Sequence, residues 1–293
     1  MIKTSPSRKA YLWINDVFLV MLAIICLLPL IHVLSISFSN KSAAAGGLVK
    51  LWPVQATVES YLYVFQRQAF WRAFLVTFQR VLVGGVVNLF LTVLTAYPLS
   101  KESSRFPGRV VYVWICFFTM LFSGGLIPAY MLISRLKLLD TIWALVLPGA
   151  LPVFSVVLML NFFRQVPIEL EEAALIDGAN HFKTLMLIYI PVSLPSIATI
   201  ILFSVVGHWN SWFDGLIYAN FPENYPLQSY LQTVVVMRDV TLMTAEEWKN
   251  LAHISDRTVK AAQIFMGALP ILCVYPFLQR YFIKGIVVGS VKG

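Results

Sequence analysis

The chain of 293 residues is 59% hydrophobic and 12% charged, against about 25% charged residues in a typical soluble protein. This composition excludes a disordered chain, a fibrous protein and a disulfide scaffold, and it argues against a soluble enzyme because so much apolar surface needs lipid around it. The formal net charge of +8 therefore indicates basic residues at the ends of membrane spans rather than a nucleic-acid partner.

Six apolar segments are long enough to cross a membrane, which takes about 20 residues each. They lie at residues 12–37, 74–99, 110–133, 142–163, 192–217 and 261–283. The first could be mistaken for a cleaved signal peptide, but its apolar run is longer than such a peptide needs, so we expect a retained span. The sequence predicts an all-α integral membrane protein with six transmembrane helices, forming a single transmembrane domain over residues 1–293.

Basic residues give the expected orientation of these spans. They cluster beside spans one, two and six, at Lys3, Arg8, Lys9, Lys101, Arg105, Arg109, Arg280, Lys284 and Lys292. Basic residues favour the cytoplasmic side, so both termini are expected there, with Arg135 and Lys137 as exceptions on an outer loop. The loop at 164–191 is then inside, and the loop at 218–260 is outside.

The inner loop has the sequence pattern of a short helix, a turn and a second helix. Pro167 suits the first helical position, and the acidic residues favoured by the helix dipole follow at Glu169, Glu171 and Glu172. Gly178 is a natural C-terminal cap, and a second amphipathic stretch leads to Pro191. Such an element can lie at the membrane surface and offer a contact to a soluble partner.

Three motifs resemble one family of membrane proteins. Residues 172–191 match the pattern E-A-A-x3-G-x9-I-x-L-P, with Ile190 in place of the leucine. Residues 209–212 match W-N-x-[WF], and residues 284–293 match K-G-x3-G-x-V-K-G. These resemble the maltose-permease-like subunits of carbohydrate importers of the ATP-binding cassette (ABC) class, and the similarity covers nearly the whole chain.

The resemblance implies the type I importer permease fold, with a cytoplasmic coupling helix between spans four and five that docks on an ATPase. The coupling residues it implies are Glu171, Glu172, Ala173, Ala174, Asp177 and Gly178. The alanines would allow close approach and Gly178 would let the chain reverse. The alternative is that Gly178 only caps the helix and Glu172 is only solvated.

The resemblance also implies partners in a bacterial inner membrane. These are a second permease subunit, two ABC ATPase subunits carrying ATP and Mg, an extracytoplasmic solute-binding protein, membrane lipid and an oligosaccharide substrate. The mechanism implied is alternating access driven by ATP. No nucleic-acid partner is expected.

The sequence argues against chemistry in this chain itself. It has no Gly-Lys dipeptide, so it lacks a phosphate-binding P-loop, and it has no H-E-x-x-H or G-x-S-x-G motif. Its four histidines are far apart, and its three cysteines lie singly in apolar runs. We expect no catalytic residue, no metal site and no cofactor bound by this chain.

Polar residues inside the spans are candidates for the substrate path, because ionisable groups in a membrane usually face a cavity or the bundle interior. The candidates are Arg80, Asn88, Trp209, Asn210, Trp212 and Asp214. Arg80 either lines the path or extends to the outer interface, and Asn88 either lines the path or bonds a neighbouring helix. The tryptophans either stack on sugar rings or form an interfacial belt.

The sequence indicates the class of transporter more clearly than the solute that it carries. Within the resembling group, we favour permeases that serve polygalacturonate- or alginate-type oligosaccharides. Basic residues on the predicted outer loops fit an acidic cargo, although nearby acids or a partner chain can equally neutralise them. The alternatives are an ABC permease for a non-sugar solute and an ion-coupled secondary carrier, which would need an ionisable pair at mid-membrane.

Overall fold

The computed structural model describes residues 6–236 and 256–290, and every regular element in these ranges is helical. The helices are, in chain order, α1 (Pro6–Ser37), α2 (Lys41–Ala45), α3 (Glu59–Gln66), α4 (Gln68–Ser100), α5 (Arg109–Leu121), α6 (Leu126–Arg135), α7 (Ile142–Val146), α8 (Val153–Phe163), α9 (Ile168–Ile176), α10 (His181–Thr184), α11 (Ile190–Val192), α12 (Leu194–Asn210), α13 (Phe213–Tyr218), α14 (Leu227–Leu231) and α15 (Asp256–Ser290). Lys3, residues 237–255 of the predicted outer loop and the last three residues of the tail motif lie outside the described residues.

Three continuous helical segments are long and apolar enough to cross a membrane, namely Ser7–Ser37 in α1, Gln68–Ser100 in α4 and Asp256–Val274 in α15. Three further candidates are pairs of helices bent at a short break, so the described residues contain up to six spans. The bends are 112° between α5 and α6, 52° between Ile142–Gly149 and α8, and 84° between His181–Val192 and α12.

The first two breaks fall inside the third and fourth predicted spans, and the third break lies at the start of the fifth predicted span. Gly125 has a φ of +87° between α5 and α6, and glycine adopts this conformation without steric penalty. Pro148 and Pro152 flank the second break, and Pro191 and Pro195 flank the third. Proline removes a backbone donor and clashes with the preceding turn, which explains the interruptions.

The described residues group into two compact units, the first formed by those within the ranges 6–70, 233–236 and 256–269. Its core packs Ile36 at the end of α1 against Ala43, Ala44 and Val49, together with Ala261 of α15. Ser60 donates a buried hydrogen bond to Thr258 at 2.8 Å. The most apolar stretch of α1 has no buried residue within the chain, so lipid or another protein must cover it.

The second unit comprises residues 71–232 and 270–290 and contains the larger core. Helix α4 turns one face inward at intervals of three or four residues, through Ala73, Thr77, Arg80, Gly84, Asn88, Thr92 and Ala96. These side chains are small or polar, as expected where helices pack closely in lipid. A Cβ at Gly84 would overlap the His208 ring, so glycine is required for α4 to approach α12 this closely.

Candidate functional site

The loop at 164–191 forms the helix, turn and helix that its sequence predicts. Helix α9 starts after Pro167 and ends at Ile176, and Gly178 follows with a φ of +80°. The amides of Gly178 and Ala179 bond back to the carbonyls of Leu175 and Ala174 at 3.1 and 2.9 Å. The left-handed glycine therefore closes the helix and reverses the chain.

The second helical segment of this loop begins at His181, directly after the turn. The Asn180 side chain accepts a hydrogen bond from the Lys183 amide at 2.9 Å and caps α10. A π-helical turn at Leu185–Tyr189 then leads into α11 and α12. Turns of this kind are uncommon and often mark functional positions.

The predicted coupling residues divide between two environments. Glu172, Ala173, Asp177 and Gly178 are exposed, and Ala174 is half-buried. Glu171 is only 2% exposed, so this carboxylate faces the protein interior. Apolar side chains add to the exposed surface of the loop, with Ile176 85% and Phe182 60% exposed.

Glu171 contacts three residues that lie outside α9. Its Oε2 accepts from Lys101 Nζ at 2.8 Å and from the Tyr189 hydroxyl at 2.6 Å, and Lys101 Nζ also donates to that hydroxyl at 2.9 Å. Arg105 Nη1 lies 3.7 Å from Glu171 Oε1, and Arg105 Nη2 donates to Glu172 at 2.9 Å. The Glu172 side chain is 53% exposed.

The surroundings shift the pKa of both charged groups in the buried pair. Burial raises the pKa of Glu171, but hydrogen bonds from Lys101 and Tyr189 and the charges of Lys101 and Arg105 outweigh it, so the pKa lies below its ordinary value. Burial lowers the pKa of Lys101, and its interactions with Glu171 oppose this only in part. The carboxylate of Glu171 is therefore ionised at neutral pH.

A second polar region lines a cavity of about 650 Å³ in the second unit. Arg80 is 3% exposed, and its Nη1 donates to Asp214 Oδ1 at 3.1 Å while its Nη2 pairs with Oδ2. Nη2 also donates to the Leu145 carbonyl at 3.3 Å. Arg80 is thus buried and paired rather than extended to a membrane interface.

Asn88 lies two turns along α4 from Arg80 and lines the same cavity. Its amide nitrogen donates to the carbonyls of Gly149 and Ala150 at 2.7 and 3.0 Å. Its Oδ1 accepts from Ser204 at 2.9 Å and lies 2.6 Å from His208 Nε2. Asn88 therefore both lines the cavity and bonds neighbouring helices.

His208 connects these two side chains. Its Nδ1 faces Arg80 Nε at 3.4 Å, and an arginine can only donate. Nδ1 is then the acceptor and Nε2 the donor to Asn88 Oδ1, which assigns the neutral tautomer with hydrogen on Nε2. The cavity wall thus combines one neutral imidazole with one compensated ion pair.

The structure brings three of the six candidate path residues to this cavity, namely Arg80, Asn88 and Asp214. Among the described residues that line it, the candidates from the W-N-x-[WF] motif are missing. Trp209 is buried, with its ring edge-on to Phe74 at 5.8 Å, while Asn210 is exposed and Trp212 is 39% exposed.

The cavity is also lined by polar residues that were not among the predicted path residues. Ser155, Ser204, His208 and Ser211 line it. The spacing of Ser204 and His208 by four residues indicates a shared helix face. Nothing in the sequence links Ser155 to them, because α8 and α12 meet only in the folded chain.

Interrupted apolar spans, a cavity with several polar side chains in a mostly apolar wall, and an exposed helix-turn-helix loop together define a polytopic membrane permease. The chain belongs to the family of binding-protein-dependent transport system inner membrane components, whose sequence profile matches residues 88–288. This confirms the family resemblance and the all-α permease fold, and it makes the chain a transporter subunit of an inner membrane.

Known relatives match over nearly their full length. Protein LplC of Bacillus subtilis is 40% identical over 279 residues, which cover 95% of this chain and 94% of the relative. The polygalacturonan/rhamnogalacturonan transport system permease protein YtcP of the same organism is 38% identical over 276 residues, with 94% and 96% covered.

A solved structure is also similar. One chain in the crystal structure of a bacterial ABC transporter involved in the import of the acidic polysaccharide alginate superimposes with a TM-score of 0.88 and 34% identity. The match covers 96% of this chain and 100% of that chain. The fold therefore extends over nearly the whole length of the chain.

Proposed function

We propose that this chain is one permease subunit of an ATP-driven ABC importer that takes up oligosaccharides. A solute-binding protein delivers the sugar, a second permease completes the path, and two ABC ATPase subunits bind ATP and Mg. The observation that carries the proposal is α9, an exposed helix closed by a left-handed glycine, in a chain of the binding-protein-dependent family.

The exposed part of the loop is the proposed contact with an ATPase. Glu172, Ala173, Ala174, Asp177 and Gly178 supply one acidic group, two small side chains and the chain reversal. Glu172 pairs with the half-exposed Arg105, and an exposed ion pair of this kind is weak enough to be exchanged for a basic group on the ATPase. Glu171 belongs to the same coupling element but faces inward.

The proposed cargo is an acidic oligosaccharide of the alginate or pectin type. YtcP is named for polygalacturonan and rhamnogalacturonan, and the similar crystal structure is of an alginate importer. The shared chemistry of these polymers is a sugar ring that carries a carboxylate.

The cavity is the proposed part of the path that this chain supplies, with Arg80, Asn88 and Asp214 in its wall. Asn210 and Trp212 are exposed at the end of α12, where a sugar or the second permease can meet them. Trp209 is buried at the same end of α12 and packs against Phe74. We propose a single permease domain over residues 1–293 with both termini in the cytoplasm, which leaves the loop at 164–191 on the ATPase side.

Affinity purification of the tagged chain in mild detergent, followed by mass spectrometry, tests the assembly. We expect an ABC ATPase and a second permease in the complex, both lost on Gly178→Pro and reduced on Glu172→Lys. The matched control is Glu169→Gln, an exposed residue of the same helix. A chain that purifies alone from native membranes would contradict the proposal.

Uptake into proteoliposomes then tests the energy source and the cargo. The complex should take up a labelled trigalacturonate when the binding protein and ATP are present, and maltotriose serves as the neutral comparison. Uptake of a non-sugar solute alone would favour a different ABC permease. Uptake driven by a proton gradient without an ATPase would favour a secondary carrier, for which the buried Arg80–Asp214 pair would supply the ionisable groups.

A further inference from the structure

Two adjacent glutamates of α9 make ion pairs of opposite character. The Glu171 pair with Lys101 is buried, with side chains 3% and 10% exposed. The Glu172 pair with Arg105 is open, with side chains 53% and 37% exposed. An open pair contributes little and is exchanged easily, whereas a buried pair cannot lose one partner without leaving an uncompensated charge.

The Lys101 ammonium is enclosed by more than its carboxylate partner. It lies over the rings of Tyr97 and Tyr189, 4.1 Å from each centroid, and such contacts are favourable for a cation that has lost water. Tyr97 and Tyr189 pack edge-on at 5.0 Å, and both pack edge-on against Phe163, at 6.3 and 5.4 Å. The ammonium therefore has a fixed position with respect to α4, α8 and the turn that precedes α11.

We infer that Glu171 is a positioning residue that fixes the coupling helix to the end of α4 and to the start of the fifth span, so that these elements move together when the ATPase moves α9. This inference rests on the proposed function and deepens it. Glu172 and its exposed neighbours form the outward contact, while Glu171 carries the displacement into the membrane spans.

The geometry favours this transmission over a purely local role. One Glu171 oxygen accepts from both Lys101 and Tyr189, and those two groups also bond to each other. The three elements are thus joined by a closed triangle of hydrogen bonds between 2.6 and 2.9 Å. Moving α9 alone would break two of the three bonds and leave the Lys101 charge without its carboxylate in a buried position.

The test compares transport with ATP hydrolysis in the complete complex. Glu171→Gln removes the negative charge and keeps the shape of the side chain. Tyr189→Phe removes the hydroxyl that bonds to Glu171 and Lys101 and keeps the aromatic ring. Glu169→Gln is the control, because Glu169 is an exposed residue of the same helix. We expect Glu171→Gln to retain the ATPase subunits but to transport at least tenfold less sugar per ATP hydrolysed. Tyr189→Phe should have a smaller effect in the same direction, and Glu169→Gln should match the wild type.

A covalent replacement tests whether a connection between these two positions is sufficient for coupling. In a background without Cys26, Cys116 and Cys273, a short bifunctional thiol reagent should join Lys101→Cys to Glu171→Cys. Restored transport per ATP after cross-linking, absent before it, is the expected result, and transport that stays low after complete cross-linking would contradict the inference.

Two outcomes would overturn the inference. If the Glu171→Gln complex keeps the wild-type ratio of sugar transport to ATP hydrolysis, the contacts of Glu171 with Lys101 and Tyr189 are dispensable for coupling. If the Glu171→Gln complex loses its ATPase subunits while remaining monodisperse, Glu171 acts in docking instead. The proposed function fails separately, if the wild-type chain itself binds no ATPase or shows no ATP-dependent uptake.

Discussion

The Arg80 guanidinium pairs through both terminal nitrogens with the carboxylate of Asp214, although 133 residues separate them in the sequence. The pair links the continuous helix α4 to α13, just beyond the last turn of α12. Nη2 of the same arginine also donates to the Leu145 carbonyl in α7. A single side chain therefore connects three segments of the second unit.

Asp214→Asn should destabilise the protein by about 3 kcal/mol or more, because it leaves a buried guanidinium without its counter-charge. The thermal unfolding of the purified protein in detergent measures this loss. The double variant Arg80→Gln with Asp214→Asn removes both charges and should lose less than the single variant. Equal stability of Asp214→Asn and the wild type would contradict the role assigned to the pair.

Asn88→Ala should cost about 1–3 kcal/mol, since it removes the donor to two carbonyls at the break before α8 and exposes them to an apolar surrounding. Asn161→Ala is the control, because Asn161 is an exposed residue of α8. Thermal unfolding of both variants in the same detergent should separate them clearly, and similar losses at the two positions would argue against the bonding role.

Gly84→Ala should destabilise the second unit by about 1–3 kcal/mol, because the new methyl group would overlap the His208 ring. The adjacent Gly85→Ala is the matched control in the same helix, where the nearest atom to a new Cβ is Ser204 Oγ at 4.0 Å. The control should be neutral or slightly stabilising, since alanine is the better helix former. A reversed order of thermal stability would show that α4 and α12 are farther apart.

The contacts of Glu171 with Lys101 and Tyr189 should weaken in acid. Because the pKa of Glu171 is lowered in the folded protein from its ordinary 4.5, the carboxylate adds stability that is fully present above pH 4.5 and is lost as the pH falls through the folded pKa. The stability difference between the wild type and Glu171→Gln should therefore shrink below pH 4.5. Melting temperatures of both proteins between pH 3 and 7 measure it, and a constant difference would contradict the prediction.

The charged form of Lys101 lowers the stability of the folded protein, and this contribution changes at alkaline pH. Burial lowers its pKa from 10.5, so folding disfavours the charged form, and this penalty is present below the folded pKa and disappears as the pH rises toward 10.5. The acid window is therefore the informative one for Glu171, because the change in the Lys101 contribution falls at alkaline pH.

Local signals in the sequence predicted the loop better than the cavity. Pro167, the acidic first turn and Gly178 determine α9 and its turn through backbone preferences that act within a few residues. The two environments of Glu171 and Glu172 were not predictable in this way, because the burial of Glu171 depends on Lys101 and Tyr189, 70 and 18 residues away.

The cavity shows the same division. The spacing of Arg80, Gly84 and Asn88 by four residues predicts one helix face, and the structure has all three buried. The pairing of Arg80 with Asp214 was not predicted, because these two residues meet only through tertiary packing. The breaks inside the third and fourth predicted spans are an intermediate case. Gly125 and Pro148 are visible in the sequence, but the hydropathy of the long apolar segments around them still predicts continuous helices.

The bonds from α4 to the break before α8 also imply an order of assembly. A carbonyl released from a helix inside lipid has no water to bond, so the break is tolerable only beside a donor. The donors Arg80 and Asn88 precede their acceptors Leu145, Gly149 and Ala150 in the chain. During synthesis from the N-terminus, the side chains that satisfy the interrupted span are therefore already in the membrane when that span arrives.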